Sequence, residues 1–420
     1  MPDNGYTLFR DTVRKQVSRR AIIKGFSTLA LGGIATACNA QEEQSTHFSS
    51  PTGRPSSTAT SFAMFRGNPS HSGLNTTEHL ISVANVSQLE LAWTFSAQES
   101  IDSSPAVASG IVYFGSDDGN LYAVDAQTGV QRWSYMTEDS ISSSPAIANG
   151  IVYIGSRDQK LYALDALNGK QRWATPTNAF LKASPTVANG IVYILSGIDQ
   201  RGDLYACDAE TGKILWRTYI GGSAASSPAV VNGIVYVGSY DGKVYALDAL
   251  TGTRHWTSDT IGIAIASSPA IAKEMVYVGS DSGYMVAFDR RTGHTRWSID
   301  LLATSSNDSY RAVYSSPAVA GEFVYIGAVD SKLYALDALS GVIRWVTKPT
   351  GSFIASSPWV ANSIVYVGSY DGKLYAFDAV TGQTLWISPF TGKPIYSSPT
   401  VTNGMVYVGS EIGKLYAFRL

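Results

Sequence analysis

The chain has 420 residues, with 31 basic side chains against 33 acidic ones and a net charge of −2. That balance excludes the basic footprint of a nucleic-acid binder. Charged residues are only 15% of the chain, well under the globular average of about 25%, so most positions are committed to strands, turns and core.

The first 40 residues read as an export signal rather than as part of a fold. Ser18-Arg19-Arg20-Ala21-Ile22-Ile23-Lys24 has the form of a twin-arginine motif, and Gly25 to Ala37 is apolar but too short to span a bilayer. Ala35-Thr36-Ala37-Cys38 reads either as a lipoprotein box, with Cys38 lipidated, or as an ordinary signal-peptidase site. Residues 41–61 are rich in Ser, Thr, Gln, Glu and Pro. Such a stretch cannot pack a core and suits a flexible tether, which favours lipidation at Cys38. No later apolar run is long enough to cross a membrane.

From residue 62 to 420 the chain repeats. Trp93, Trp133, Trp173, Trp216, Trp256, Trp297, Trp345 and Trp386 follow one another in steps of 40 to 48 residues. A period of about 40 residues with strand content is the signature of a β-propeller. The clearest unit runs from Ser226 to Trp256. Residues 227–231 form a first strand, 234–238 a second, Asp241-Gly242 a tight hairpin turn, 244–247 a third strand, and the fourth runs through Trp256. Four short antiparallel strands make one blade. The first strand is built of Ser, Pro, Ala and Val, which places it at the narrow radius beside a central channel. The larger side chains fill the widening gap further out.

Seven units carry Ala-x-Asp-x-x-x-Gly-x-x-x-Trp, first as Ala123, Asp125, Gly129 and Trp133. The glycine allows a positive-φ turn, the Asp caps it, and the Trp docks one blade on the next. The eighth unit is split. Residues 397–420 supply three strands and no Trp, while Leu89–Phe95 is a strand with a docking Trp and no partners of its own. Pairing Leu89–Phe95 with Lys414–Phe418 closes the ring and removes the free edges. The expected fold is all-β: an eight-bladed β-propeller of four-stranded antiparallel blades.

Departures from the repeat are the candidates for function. Two residues before each Ser-Pro pair, at the channel mouth, the units read Asp102, Ser142, Lys182, Ala225, Ala266, Tyr314, Ala355 and Tyr396. Asp102, Lys182, Tyr314 and Tyr396 can reach a partner or ligand, although a solvated loop face explains them equally well. The longest connection, Ser298–Tyr314, adds Asp308, Tyr310 and Arg311. Residues 197–202 lengthen one hairpin, which is placed on the opposite face and read as structural drift. Trp359 follows a Ser-Pro pair where the other units have Ala or Thr. At that radius it either protrudes into the channel as a stacking platform or displaces its neighbours in the core. Cys207 reads as a small buried hydrophobe. The five histidines lack metal-ligand spacing, and no nucleophile elbow, phosphate loop or carboxylate pair is present. No catalytic, cofactor-binding or metal residue is assigned.

The repeat resembles that of the PQQ-binding-like β-propeller superfamily, whose tryptophan-docking motif is matched in seven units. Phe65-Arg66-Gly67-Asn68-Pro69-Ser70-His71-Ser72-Gly73, followed by Asn85 to Trp93, is similar to that family's lead-in to its first strand. The resemblance implies one of two branches. Quinoprotein dehydrogenases use PQQ and calcium, and many carry adjacent cysteines and large insertions. Here the cysteines are Cys38 and Cys207, and one connection alone is long. The single-propeller branch typified by BamB implies a non-enzymatic lipoprotein that binds partner proteins. The expectation is an exported periplasmic or cell-surface scaffold, lipid-anchored and without cofactor, that binds envelope proteins at the channel-mouth loops. The alternatives are a minimal PQQ-dependent dehydrogenase and an extracytoplasmic ligand sensor or adaptor.

Overall fold

A computed structural model describes residues 64–198, 201–223, 225–303 and 311–420. Residues 1–40, the stretch 41–61, Cys38, Asp308 and Tyr310 lie outside these. Eight four-stranded antiparallel blades follow in chain order. The first to seventh span 106–136, 146–176, 186–219, 229–257, 270–300, 318–346 and 359–387. The eighth joins residues 400–419 to Glu90–Ser96. In that blade Leu91 faces Phe418, Trp93 faces Ala417 and Phe95 faces Leu415, so the split repeat closes the ring as its sequence requires.

The two serines of the Ser-Ser-Pro repeat have different tasks. In seven blades the first serine's Oγ accepts the N–H of the glycine that ends the second strand, as Ser103 does from Gly115 at 3.0 Å. A Cβ on Gly115 would lie 2.2 Å from Cγ2 of Ile141, so the glycine makes room for the incoming connection. The third blade has Ala183 and Leu195 at these two places, and both halves of the pair change together. The second serine links blades. The N–H of Ser104 donates to Oγ of Ser144, and the relation continues through Ser184, Ser227, Ser268, Ser316, Ser357 and Ser398 back to Ser104, every link 2.8–3.1 Å.

Further out, seven seams share one construction. The ring of Trp133 lies on Gly169 of the next blade, whose φ is +71° and whose added Cβ would meet the indole at 2.6 Å. Trp133 Nε1 donates to the Ala166 carbonyl at 3.0 Å, and Tyr113 Oη, from the same blade as the Trp, donates to that carbonyl at 2.9 Å. Both lone pairs of one oxygen are used. The Asp of the motif caps the turn: Asp125 accepts from Gln127, Thr128 and Arg132.

The seam between the seventh and eighth blades differs, because the chain has no eighth docking motif. A short 3-10 turn, Val86–Gln88, takes its place. Trp386 Nε1 donates to the Leu89 carbonyl at 3.2 Å, and Phe418 meets the indole edge-on at 5.2 Å. The buried Glu78 carboxylate holds this patch together by accepting from the N–H groups of Leu80, Ile81 and Gly404. The Tyr366 hydroxyl, the counterpart of Tyr113, is buried and has no hydrogen-bond partner among the described residues.

One feature has no counterpart in the repeat pattern. Residues 66–75 lie against the innermost strands of six blades. The carbonyls of Pro69, Ser70, Ser72 and Gly73 accept from the N–H groups of Val230, Ile271, Val319 and Val360. Leu74–Asn75 pairs in parallel with Trp359–Ala361. His71 Nε2 lies 2.9 Å from Thr186 Oγ1, and Asn75 Nδ2 donates to the Val401 carbonyl at 2.8 Å. The Arg66 guanidinium donates to the Pro317 and Pro358 carbonyls and is 1% exposed. Innermost strands otherwise leave edge N–H groups unpaired, and this segment satisfies four of them. Gly73, at φ +63°, is needed here, since a Cβ would lie 2.2 Å from Arg66 Nη2.

One open choice is resolved and one expectation is corrected. Trp359 does not enter the channel. It is 2% exposed, faces Tyr366 across the strand pair, and packs with Trp386, Ile395 and Val401 in the core between the last two blades. The 197–202 hairpin is not on the opposite face. Gly197 N–H donates to the Phe180 carbonyl at 3.1 Å. In a four-stranded up-and-down blade, the turn between the second and third strands shares a face with the connection that enters the blade.

Candidate functional site

That face carries the channel mouth, built from two positions per blade. One is the connection residue two before the Ser-Pro pair. The other follows the second strand: Asp117, Arg157, Gly197, Tyr240, Asp281, Val329, Tyr370 and Glu411. Each hairpin residue is pinned to its connection by the backbone, as Asp117 N–H to Ser100 O, Tyr370 to Phe353 and Glu411 to Pro394. All eight connection residues are half-buried, so Asp102, Lys182, Tyr314 and Tyr396 share the rim with the hairpin set.

The rim is sorted by chemistry. On the eighth and first blades stand Asp102, Asp117 and Glu411. Burial raises the Asp102 carboxyl, against a 2.6 Å hydrogen bond from Ser100 Oγ. Burial first, then repulsion from Asp102, pushes Asp117 up to about 6, with Arg157 opposing. Burial and then the charges of Asp102 and Asp117 push Glu411 up to about 7, with Lys393 opposing. The second and third blades carry Arg157, whose guanidinium lies 5.5 Å from the Phe180 ring centroid, and Lys182, whose pKa is lowered by burial and then by Arg157. The connections and hairpins of the seventh and eighth blades bring Phe353 and Tyr370 into a stack at 3.9 Å, with Tyr396 edge-on to Tyr370 at 4.5 Å. Asp281 of the fifth blade is pushed up to about 7 by burial.

Arg311 is held by an ion pair with Asp300 at the end of the fifth blade's last strand. Cys207 is fully buried opposite Val192, and burial pushes its thiol up to about 12, which keeps it protonated and unreactive. Among the described residues no group of three or more His, Cys, Asp or Glu is placed to hold a metal ion, and no helix is long and apolar enough to cross a membrane.

The family pattern described as outer membrane protein assembly factor BamB matches residues 81–184, 174–388 and 354–419. The chain belongs to this PQQ-like propeller family. No curated protein matches it. Among solved structures, a quinohemoprotein alcohol dehydrogenase from Pseudomonas putida superposes with a TM-score of 0.73 at 20% identity, covering 86% of this chain and 80% of that one. A europium-containing methanol dehydrogenase gives 0.72 at 17%, covering 86% and 98%. BamB from Moraxella catarrhalis gives 0.65 at 22%, covering 79% and 98%. At such identities the likeness shows the fold alone, and this BamB-family propeller shares that fold with enzymes and with an assembly factor.

Proposed function

We propose that the protein is a non-enzymatic scaffold of the cell envelope that binds partner proteins through its channel mouth. The observation that carries this reading is the segregation of the rim into acidic, basic and aromatic arcs, on positions that the blade itself leaves open to Gly, Val, Tyr or Asp. Rigid scaffolds concentrate recognition on such loops, and Tyr and Arg are favoured interface anchors.

The alternative, a PQQ-dependent dehydrogenase, does not suit the residues present. A calcium ion takes about 6–8 oxygen ligands, carboxylates prominent among them, and among the described residues no group of three or more His, Cys, Asp or Glu is placed to hold one. The family description supports an assembly role without naming this chain's partner. We also propose export through Arg19-Arg20 and membrane attachment through Cys38.

A photocrosslinker placed at Tyr396 is expected to trap an envelope protein, and one at Gly110 on the opposite face is not. Equal trapping from both faces overturns the mouth as the binding surface. Quinone absorbance and dye reduction on adding PQQ and calcium would replace the scaffold reading with the dehydrogenase one. Arg19→Lys with Arg20→Lys should retain precursor in the cytoplasm, and Cys38→Ala should release the protein from membranes. Undiminished export, or anchoring that survives, removes the corresponding assignment.

A further inference from the structure

We propose that the arc formed by Asp102, Asp117 and Glu411, with the adjoining Phe353, Tyr370 and Tyr396, receives a lysine or arginine side chain from a basic segment of the partner protein. This deepens the scaffold reading and rests on it.

The eightfold repeat is its own control. At the position of Asp117 and Glu411 the other blades hold Arg157, Gly197, Tyr240, Asp281, Val329 and Tyr370, so the hairpin needs no acid there. At the position of Asp102 they hold Ser, Lys, Ala or Tyr. Yet three carboxylates fall together on the two blades that meet at the chain's closure. The backbone holds these positions together, Ile101 N–H donating to the Ser410 carbonyl and Asp117 N–H to the Ser100 carbonyl, and among the described residues none of the three has an ion-pair partner. Like charges held together in partial burial destabilise the fold, and an incoming cation reverses that effect.

The second observation is of another kind. The aromatic group is contiguous with the acid arc: Tyr396 leads into the eighth blade, and Glu411 is pinned to the Pro394 carbonyl two residues earlier in the same connection. Carboxylates beside aromatic rings form the surroundings that ammonium and guanidinium groups prefer. Deeper in the channel, the chain's own residues 66–75 line the inner strands. A partner therefore inserts a side chain at the rim rather than threading its backbone through. The facing cations, Arg157 and Lys393, bound the arc and disfavour a second basic group alongside.

The test uses the full chain and two probes, fluorescent hexalysine and its fully Nε-acetylated form, followed by anisotropy at low salt. Hexalysine should bind and the acetylated peptide should not. Asp117→Asn with Glu411→Gln should weaken binding more than tenfold, Tyr370→Leu by roughly 2–5-fold, and Arg157→Gln should strengthen it. Affinity should rise from pH 5 to pH 8 as Asp117 and Glu411 ionise against Asp102, Glu99 and Asp118, with Arg157 and Lys393 the facing cations. The repeat tolerates uncharged residues at these places, and a cooperative melt at or slightly above the parent Tm confirms that the variants fold. Equal binding of both peptides, or binding indifferent to the double variant, overturns the proposal. Crosslinking at Tyr396 that persists at full yield in the double variant also overturns it while leaving the scaffold reading intact. Dye reduction with PQQ would instead remove the scaffold reading itself.

Discussion

Seven seams of this propeller are copies, and the eighth is improvised. At the seam of the sixth and seventh blades, Trp345 Nε1 and Tyr325 Oη both donate to the Ala379 carbonyl, and the indole lies on Gly382. At the seam of the seventh and eighth, Trp386 finds the Leu89 carbonyl, no glycine lies beneath it, and the Tyr366 hydroxyl is buried unpaired. The inner serine link is the same at both, 2.9 Å at Ser316 and 3.1 Å at Ser357. The second-serine link is therefore kept at every seam, whereas the docking belt accepts a substitute where the core is refilled, here by Phe418, Ile81 and Val86.

The comparison can be broken at several places. Trp256→Ala removes a docking ring at a regular seam and should lower stability by roughly 3–5 kcal/mol in denaturant titration. A loss under about 1 kcal/mol would mean that the seams collapse around the gap and docking is not what holds the blades. Gly252→Ala keeps the ring but forces a Cβ to within 2.6 Å of the Trp216 indole at a φ of +70°. A loss of roughly 1–3 kcal/mol is expected, and a neutral result would erase the distinction between seams with and without the glycine. The tyrosine pair is the sharpest contrast. Tyr325→Phe deletes a made hydrogen bond and should cost about 1 kcal/mol, while Tyr366→Phe deletes an unsatisfied buried hydroxyl and should be neutral or stabilising. Equal costs would show that the improvised seam is as well satisfied as the others.

The smallest effect lies at the mouth, where no seam is involved. Glu411 holds its proton up to about pH 7 in the fold but only to about 4.3 in the unfolded chain. The folded state thus binds more protons between these values, and stability falls as pH rises through that window. Glu411→Gln should raise the Tm by about 1–2 °C at pH 8 and leave it near the parent value at pH 4. A rise of equal size at both pH values would mean that charge is not the cause.

Blade number, blade order and the closing strand were legible because each rests on a repeated local demand: a glycine where an indole lies, an Asp where a turn needs a cap, two serines where the channel wall needs acceptors. The segment 66–75 was not legible as a channel occupant. It acts through the backbone carbonyls of Pro69, Ser70, Ser72 and Gly73, which leave no periodic trace, and only the Arg66 and Gly73 pairing marks it. Trp359 could be flagged as an anomaly of size but not placed, because the space it fills comes from Ile81 and Val401 on distant parts of the chain. At the mouth, counting back from Ser-Pro located Asp102, Lys182, Tyr314 and Tyr396. Asp117, Arg157, Tyr370 and Glu411 were missed because they come from a different turn. The usable signal was the variable residue after each Gly-Ser that closes a second strand.

The serine circle has a consequence for assembly. Every link points the same way around the axis, each backbone donor reaching forward to the next hydroxyl, so the circle has a sense of rotation and no terminus. Its last link joins Ser398 to Ser104, 294 residues apart. An open array of repeats gains stability one neighbour at a time and can fray from either end. A closed directional circuit has no end to fray from, and it cannot be completed by seven members or by nine on the same radius. Closure of the circle thus depends on the N–H of Ser398 reaching Ser104 Oγ, so the two ends of the propeller are joined on the channel wall as well as by the paired closing strand.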